Sequence, residues 1–245
     1  MNIKGFIRNS LIEWEGKIVS VVFLPYCNLR CRYCHAGHLI VQPEQLDTID
    51  RREVLDYLTA NVGWLDGVAI TGGEPTLHAE ELIDLIQQFR SCPMQVMVET
   101  NGTNPDMVQR LIRDGLVEAL SMDLKAPLTP EDYRRVTDAD VNVEDVARSV
   151  QIIKASGVVH ELRVTVVPGL VGRDELERML PVLEGAQKVA LQNFKPDQCL
   201  CPQLRSVTPF AAEEMDALQQ LVAPIVGRCV VRGRDHAALA RSSRG

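Results

Sequence analysis

Short apolar segments alternate with segments of helical spacing along most of the chain, and few folds accommodate that order. Six segments read as strands: 17–24 (KIVSVVFL), 67–71 (GVAIT), 95–100 (QVMVET), 117–123 (VEALSMD), 162–167 (LRVTVV) and 188–194 (KVALQNF). Between them, Leu82, Leu85, Ile86 and Phe89 recur at i, i+3, i+4 and i+7, as do Leu176, Met179, Leu180 and Leu183. That spacing gathers apolar side chains on one helical face. Asp50 to Glu53 reads as a capping box for a helix burying Val54, Leu55 and Leu58, and Thr129-Pro130 opens another. Further helices are expected over 106–113, 143–155 and 212–225. Alternation of this kind implies parallel strands joined by right-handed crossovers, and near-continuous apolar strands imply a sheet covered by helices. The chain has 245 residues and about six βα units, whereas a closed eight-fold barrel typically takes about 250 residues. The expected fold is α/β, a partial, open (β/α)6 TIM-like barrel of parallel strands. A flat doubly wound sheet fits less well, because no Gly-x-Gly-x-x-Gly follows the first strand.

One domain is expected over 1–245, with 1–16 as an N-terminal extension and 228–245 as a basic tail holding five arginines against Asp235. Such a tail reads as a solvated terminus, or less readily as a dock for an acidic partner. The formal charge of −7 argues against a nucleic-acid partner. Residues 1–8 do not read as a secretory signal, and the apolar run 18–24 is far short of a membrane span. A cytoplasmic protein without a membrane partner is expected, in a reducing compartment where clustered cysteines serve as metal or redox groups.

Three of the seven cysteines, Cys27, Cys31 and Cys34, fall in one C-x3-C-x2-C window just after the first strand. In a parallel α/β fold that is the edge where functional loops converge. Three thiolates on one loop can bind three irons of a [4Fe–4S] cluster and leave the fourth open to a small molecule; the flanking Arg30 and Arg32 would favour the thiolate. The same residues admit a zinc site completed by His35 or His38, a C-x-x-C-H haem attachment, a thioredoxin-like pair or plain core thiols. Cys92, Cys199, Cys201 and Cys229 read as core or loop thiols, and His78, His160 and His236 belong to no constellation.

The window, with Tyr33 before its third cysteine, resembles the signature of the radical S-adenosylmethionine (SAM) enzymes. Later segments recur in that family's order: Gly72-Gly73-Glu74-Pro75 after the second strand, Glu99-Thr100-Asn101-Gly102 after the third and Ser121-Met122-Asp123-Leu124-Lys125 after the fourth. Residues 163–169 and 192–195 end the fifth and sixth. The subgroup resembles the glycyl-radical-enzyme activases. Gly5-Phe6 and residues 10–17 (SLIEWEGK) resemble the anaerobic ribonucleoside-triphosphate reductase activating proteins in particular, and the later motifs also resemble pyruvate formate-lyase activase.

The resemblance implies a single radical SAM domain with Cys27, Cys31 and Cys34 as cluster ligands. It implies SAM contacts from Tyr33, His35, Gly72, Gly73, Glu74, Asn101, Asp123, Lys125 and Lys195. Lys195 stands where the pyruvate formate-lyase activase pattern has a His, and Tyr26 where a Gly is common. Glu99, Thr100 and Asp123 resemble a monovalent-cation site, with Glu99 replacing an Asp; Arg163 is a weaker site candidate that could equally brace the barrel. The implied activity is reductive cleavage of SAM and hydrogen abstraction from a glycine of a partner enzyme. A one-electron donor such as flavodoxin or ferredoxin would supply the electron. A small-molecule radical SAM enzyme, such as a carboxy-deazaguanine synthase, would share every motif; a non-catalytic zinc or redox module is the remaining alternative.

Overall fold

The apolar segments pair side by side in chain order, as buried parallel strands joined by helices must. The computed structural model describes residues 2–197 and 199–236. Its first elements are β1 (Gly5–Ser10), β2 (Val19–Leu24), α1 (Gly37–Val41), α2 (Arg51–Ala60), β3 (Gly67–Gly72) and α3 (Ala79–Ser91). There follow β4 (Gln95–Thr100), α4 (Pro105–Arg113), β5 (Ala119–Asp123), α5 (Pro130–Thr137), α6 (Val143–Ala155) and β6 (Val159–Val166). The last are α7 (Arg173–Leu183), β7 (Val189–Asn193), α8 (Ala212–Val222) and β8 (Cys229–Arg232). They form one eight-stranded sheet in the order β1 to β8. β1 runs antiparallel to β2, and each later neighbour is parallel to the last. Among the described residues no ladder joins β8 to β1. The barrel is therefore open, although its sheet has eight strands.

The six expected strands are β2 to β7, and the sheet gains one strand at each edge. β1 lies in the expected N-terminal extension. Its middle residues are exposed, so it carries no apolar run to betray it. β8 lies in the expected basic tail and has only four residues, CVVR. The positive charge that made this stretch look solvated is neutralised internally. Arg228 pairs with Glu15 at 2.9 Å, Arg232 with Glu161 at 2.8 Å, and Arg234 with Asp216. The remaining tail arginines, Arg241 and Arg244, lie outside the described residues.

Helix starts follow side-chain capping. The Asp50 carboxylate accepts from the Arg52 amide at 2.8 Å, Thr129 Oγ1 accepts from the Asp132 amide at 3.2 Å, and Asn104 caps α4 ahead of Pro105. Leu55 is only half-buried on α2, while Val54 and Leu58 are fully buried. Among the described residues no helix is long and apolar enough to cross a membrane.

Period-two alternation along β2 divides its side chains between two cores. Val22 and Leu24 face the helices in the main core, with Leu82, Leu85, Ile86 and Phe89 of α3. Val19, Val21 and Phe23 face the barrel interior, where a second core is completed by Ala69, Met97, Ala119 and Trp14. Trp14 comes from the β1–β2 connection and seals the barrel floor. We expect Trp14→Ala to cost about 3–5 kcal/mol of unfolding free energy, as removal of a buried indole does. The same change at exposed Trp64 should cost under about 0.5 kcal/mol. Urea unfolding of the two variants checks both values.

Candidate functional site

The C-terminal ends of β2 to β7 converge on a cavity of about 800 Å³. Cys27, Cys31 and Cys34 border it from the loop after β2. Along that loop Leu29, Cys31 and Tyr33 are buried while Asn28, Arg30 and Arg32 are exposed. The backbone holds it from two sides. The Arg30 and Arg32 amides donate to the Thr137 and Val136 carbonyls at the end of α5, at 2.8 and 3.0 Å. Leu200 and Cys201 amides donate to the Cys34 and Arg32 carbonyls, at 3.1 and 2.9 Å.

Burial pushes all three thiols up, Cys31 to about 12, and the nearby Lys125 charge does not offset it. Arg30 acts only weakly on Cys34, so the flanking arginines do not create the thiolates. Deprotonation must accompany metal binding. Among the described residues no three His, Cys, Asp or Glu side chains converge to hold a single metal ion. A zinc ion needs such convergence; a cubane takes one thiolate per iron, so its donors stand apart.

Gly72 and Gly73 bring the end of β3 against the start of the cysteine loop. A Cβ on Gly72 would lie 2.3 Å from the Leu24 backbone, and one on Gly73 would lie 1.7 Å from the Tyr26 carbonyl oxygen. The Gly73 and Glu74 amides instead donate to the Leu24 and Tyr26 carbonyls at 2.8 and 2.7 Å. Tyr26, where a Gly is common, keeps the left-handed conformation (φ 66°), and its phenol donates to Glu44 at 2.7 Å. Glu74 is buried. Its carboxylate accepts from Thr76 Oγ1 (2.6 Å), Thr100 Oγ1 (2.7 Å), the Thr76 amide (3.0 Å) and the Asn101 amide (2.6 Å). Burial nonetheless pushes its pKa up. Asn101 Nδ2 donates to Asn28 Oδ1 at 2.9 Å, which ties the end of β4 to the cysteine loop. Glu74 and Asn101 thus hold the three loops together.

The expected cation site has a different occupant. Arg163 on β6 grips Glu99 with two bonds of 2.6 and 2.8 Å and donates from Nε to Asp123 Oδ1 at 2.7 Å. Thr71 Oγ1 donates to Glu99 at 2.7 Å, and Thr100 turns its hydroxyl to Glu74. A guanidinium therefore stands between the two carboxylates, where a monovalent cation was expected. Lys125 Nζ donates to Asp123 Oδ2 at 2.9 Å and lies 6.0 Å from the Tyr33 ring centre. Burial opposes charge on Asp123, but the Arg163 and Lys125 charges outweigh it and hold its carboxyl well below the usual range. The partner charges in turn keep Lys125 and Arg163 protonated against burial.

All the residues expected at the cluster, at SAM and at the cation border this one cavity, His35 and Lys195 included. Thr71, which had not been singled out, and His236, which had been assigned to no constellation, join them. Thr71 immediately precedes the Gly-Gly pair, which was a usable signal. His236 reaches the Asn193 carbonyl from Nδ1 at 3.0 Å, and only the fold brings it there. The donor set fits a [4Fe–4S] cluster on three thiolates, and the adjoining cavity, bordered by Gly72 and Gly73, has room for a ligand beside it.

The ion network has a testable pH signature. Arg163→Met leaves Glu99 buried without its cation and Asp123 with Lys125 alone, which should cost about 3–5 kcal/mol at neutral pH. Losing the Arg163 charge lets the Asp123 carboxyl rise from its depressed position, so this deficit should shrink as pH falls and protonates it. The native Asp123 contribution, with its depressed pKa, stays fully present above the ordinary carboxylate range. Urea unfolding of both proteins across the acid-to-neutral range checks this; a pH-independent deficit contradicts it.

The Radical SAM superfamily model matches residues 21–180. A Methanocaldococcus jannaschii protein provisionally named as a glycyl-radical enzyme activating enzyme is 23% identical over 235 residues, covering 94% of this chain and 95% of that protein. The 7-carboxy-7-deazaguanine synthase of Methanothermobacter thermautotrophicus is 27% identical over 205 residues, 74% of this chain and 77% of its own. Among solved structures, TYW1 with a lysine-pyruvate adduct bound aligns at TM-score 0.60 and 16% identity, over 84% of this chain and 73% of that one. Streptococcus suis SuiB bound to precursor peptide SuiA aligns at TM-score 0.64 and 13% identity, over 89% of this chain but only 50% of its own. The family's cofactors are a [4Fe–4S] cluster and SAM, the pair that the three-cysteine loop and the adjoining cavity fit, and the chain belongs to the radical SAM superfamily.

Proposed function

We propose that the chain activates a glycyl radical enzyme, with an anaerobic ribonucleoside-triphosphate reductase as its partner. The observation that carries this reading is the match to the M. jannaschii activase-named protein along nearly the whole of both chains. The reductase assignment rests on residues 5–6 and 10–17, which resemble the reductase activating proteins.

Cys27, Cys31 and Cys34 hold three irons of the cluster. When bound, the reduced cluster supplies the electron that cleaves SAM to methionine and a 5′-deoxyadenosyl radical. The chain's own work is positioning. Gly72 and Gly73, by letting the end of β3 close on Leu24 and Tyr26, set the cysteine loop beside the SAM pocket. Lys125, kept protonated by Asp123, presents a cation to the SAM carboxylate, and Asp123 faces the ribose. Tyr33 and His35 form the wall beside the third cysteine, and Lys195 and Asn101 contribute polar edges. Glu74 acts through the loops it joins. Leu11 and Ile12, exposed and bordering the same cavity, flank the route by which a partner's glycine-bearing loop enters.

A second reading has its own support. The match to the carboxy-deazaguanine synthase covers about three quarters of each chain, and such an enzyme would use the same cluster and SAM residues on a small molecule.

Electron paramagnetic resonance of the reconstituted protein with reductant, SAM and the reductase should give a glycyl doublet. No doublet with the reductase or with pyruvate formate-lyase, together with turnover of the deazaguanine precursor, selects the second reading. Cys31→Ala should abolish SAM cleavage in either case. Gly73→Ala should weaken SAM binding by about tenfold or more, because the Cβ cannot fit without moving the cysteine loop. Equilibrium binding of SAM to the reconstituted variant measures that directly.

A further inference from the structure

An acidic chain that pairs most of its arginines leaves two of them facing solvent on the loop that carries the cluster ligands. The formal charge is −7. Arg110, Arg134, Arg163, Arg178, Arg228 and Arg232 each grip a carboxylate. Arg30 and Arg32 have no carboxylate partner among the described residues. Arg30 folds back on the Cys27 and Leu29 carbonyls, at 2.6 and 2.9 Å. Arg32 reaches only Cys201 Sγ, at 3.5 Å. Both side chains are exposed, and the alternation that turns Leu29, Cys31 and Tyr33 inward turns these two outward.

We propose that Arg30 and Arg32 form the docking surface for an acidic flavodoxin-type electron carrier. The inference rests on the proposed reductive chemistry, which needs one electron from outside. That electron leaves the carrier's reduced flavin, which becomes its one-electron-oxidised form, and enters the cluster; no bond is made or broken. Arg32 is the residue next to Cys31, so a carrier seated on its guanidinium lies over the ligand loop itself. Electron-transfer encounters are small and weak, and complementary charge governs their on-rate and specificity. Among the described residues Arg8 and Arg52 are exposed without a carboxylate partner too, but neither lies on the ligand loop; Arg30 and Arg32 do, two residues apart, and there they offer positive charge to an acidic partner. The two also differ in use. Arg30 is tied to ligand-loop carbonyls, whereas Arg32 is free to meet a carboxylate.

The test uses the reconstituted holoprotein and a reduced flavodoxin. Binding is read by flavin fluorescence at about 20 mM and about 500 mM salt, where the Debye length shrinks from roughly 20 to about 4 Å. Arg32→Glu should weaken binding about tenfold or more at low salt, with the difference vanishing at high salt. Arg32→Lys, which keeps the charge, should bind like the native protein. Arg113→Glu, an equal charge change on α4, should have no effect. SAM cleavage driven by dithionite should be unchanged in Arg32→Glu, since that small reductant needs no dock. Flavodoxin binding unaffected by Arg32→Glu overturns the proposal, as does equal weakening by Arg113→Glu. So does a loss confined to binding of a ferredoxin or of the glycyl partner. Failure of dithionite-driven cleavage in the native protein would instead strike at the underlying reading of the site.

Discussion

Everything at the mouth of this barrel depends on how closely β3 approaches β2 at their C-terminal ends. Two residues without side chains make that approach possible. The Gly73 and Glu74 amides reach the Leu24 and Tyr26 carbonyls, so the first turn of the cysteine loop is hydrogen-bonded to the strand beside it rather than to solvent. Glu74 then carries the constraint onward, its carboxylate accepting from the Thr100 hydroxyl and the Asn101 amide. Asn101 returns it to Asn28. A closed circuit of short bonds thus fixes the relative positions of three loops from three strands. Strand pairing alone could not do this, because ladders stop where loops begin.

The second constraint is electrostatic, and its logic differs. Glu99, Asp123, Arg163 and Lys125 are two acids and two bases from β4, β5 and β6, and the loop after β5 supplies the lysine. Removing ions from water is expensive, and a buried network holds only when every charge has a geometrically good partner. Here each does, through the two-bond grip on Glu99 and the two cations sharing Asp123. The arrangement leaves Lys125 as a fixed positive charge beside the cysteine loop, close enough to oppose the effect of burial on all three thiols.

Much of this was legible in the sequence, and the limits have physical causes. The strands β2 to β7 are apolar because helices cover them, and that leaves a pattern. The edge strands, β1 with its exposed middle and β8 with only four half-buried residues, leave too little of that pattern to read. Spacing placed the three cysteines on one loop, and strand ends placed Gly72, Gly73, Asp123 and Lys125 at one mouth. Side-chain direction was out of reach. A sequence does not say that Glu74 spends its carboxylate on the neighbouring loops, or that Arg163, which opens a strand-end motif, reaches across to two carboxylates. Nor does it say that the arginines beside the thiols do little to ionise them. Those outcomes depend on burial and on which strand lies next to which.

The open side of the barrel follows from the same division between backbone and side-chain bonding. Between β2 and β8 each strand is held to the next by a continuous ladder. Across the opening the connections that reach from the β1–β2 segment are ion pairs, Glu15 with Lys188 at 2.6 Å and with Arg228 at 2.9 Å. Glu15 and Arg228 are exposed there, and exposed pairs are worth little, typically about 0–1 kcal/mol each. Trp14, one residue away, supplies the apolar anchor that these pairs lack. The floor is therefore firm, while the wall above it is the least strongly bonded part of the sheet's circumference. Leu11 and Ile12 lie on that wall, so among the described residues the weakest seam of the barrel and the most exposed large apolar side chains coincide at the cavity's edge.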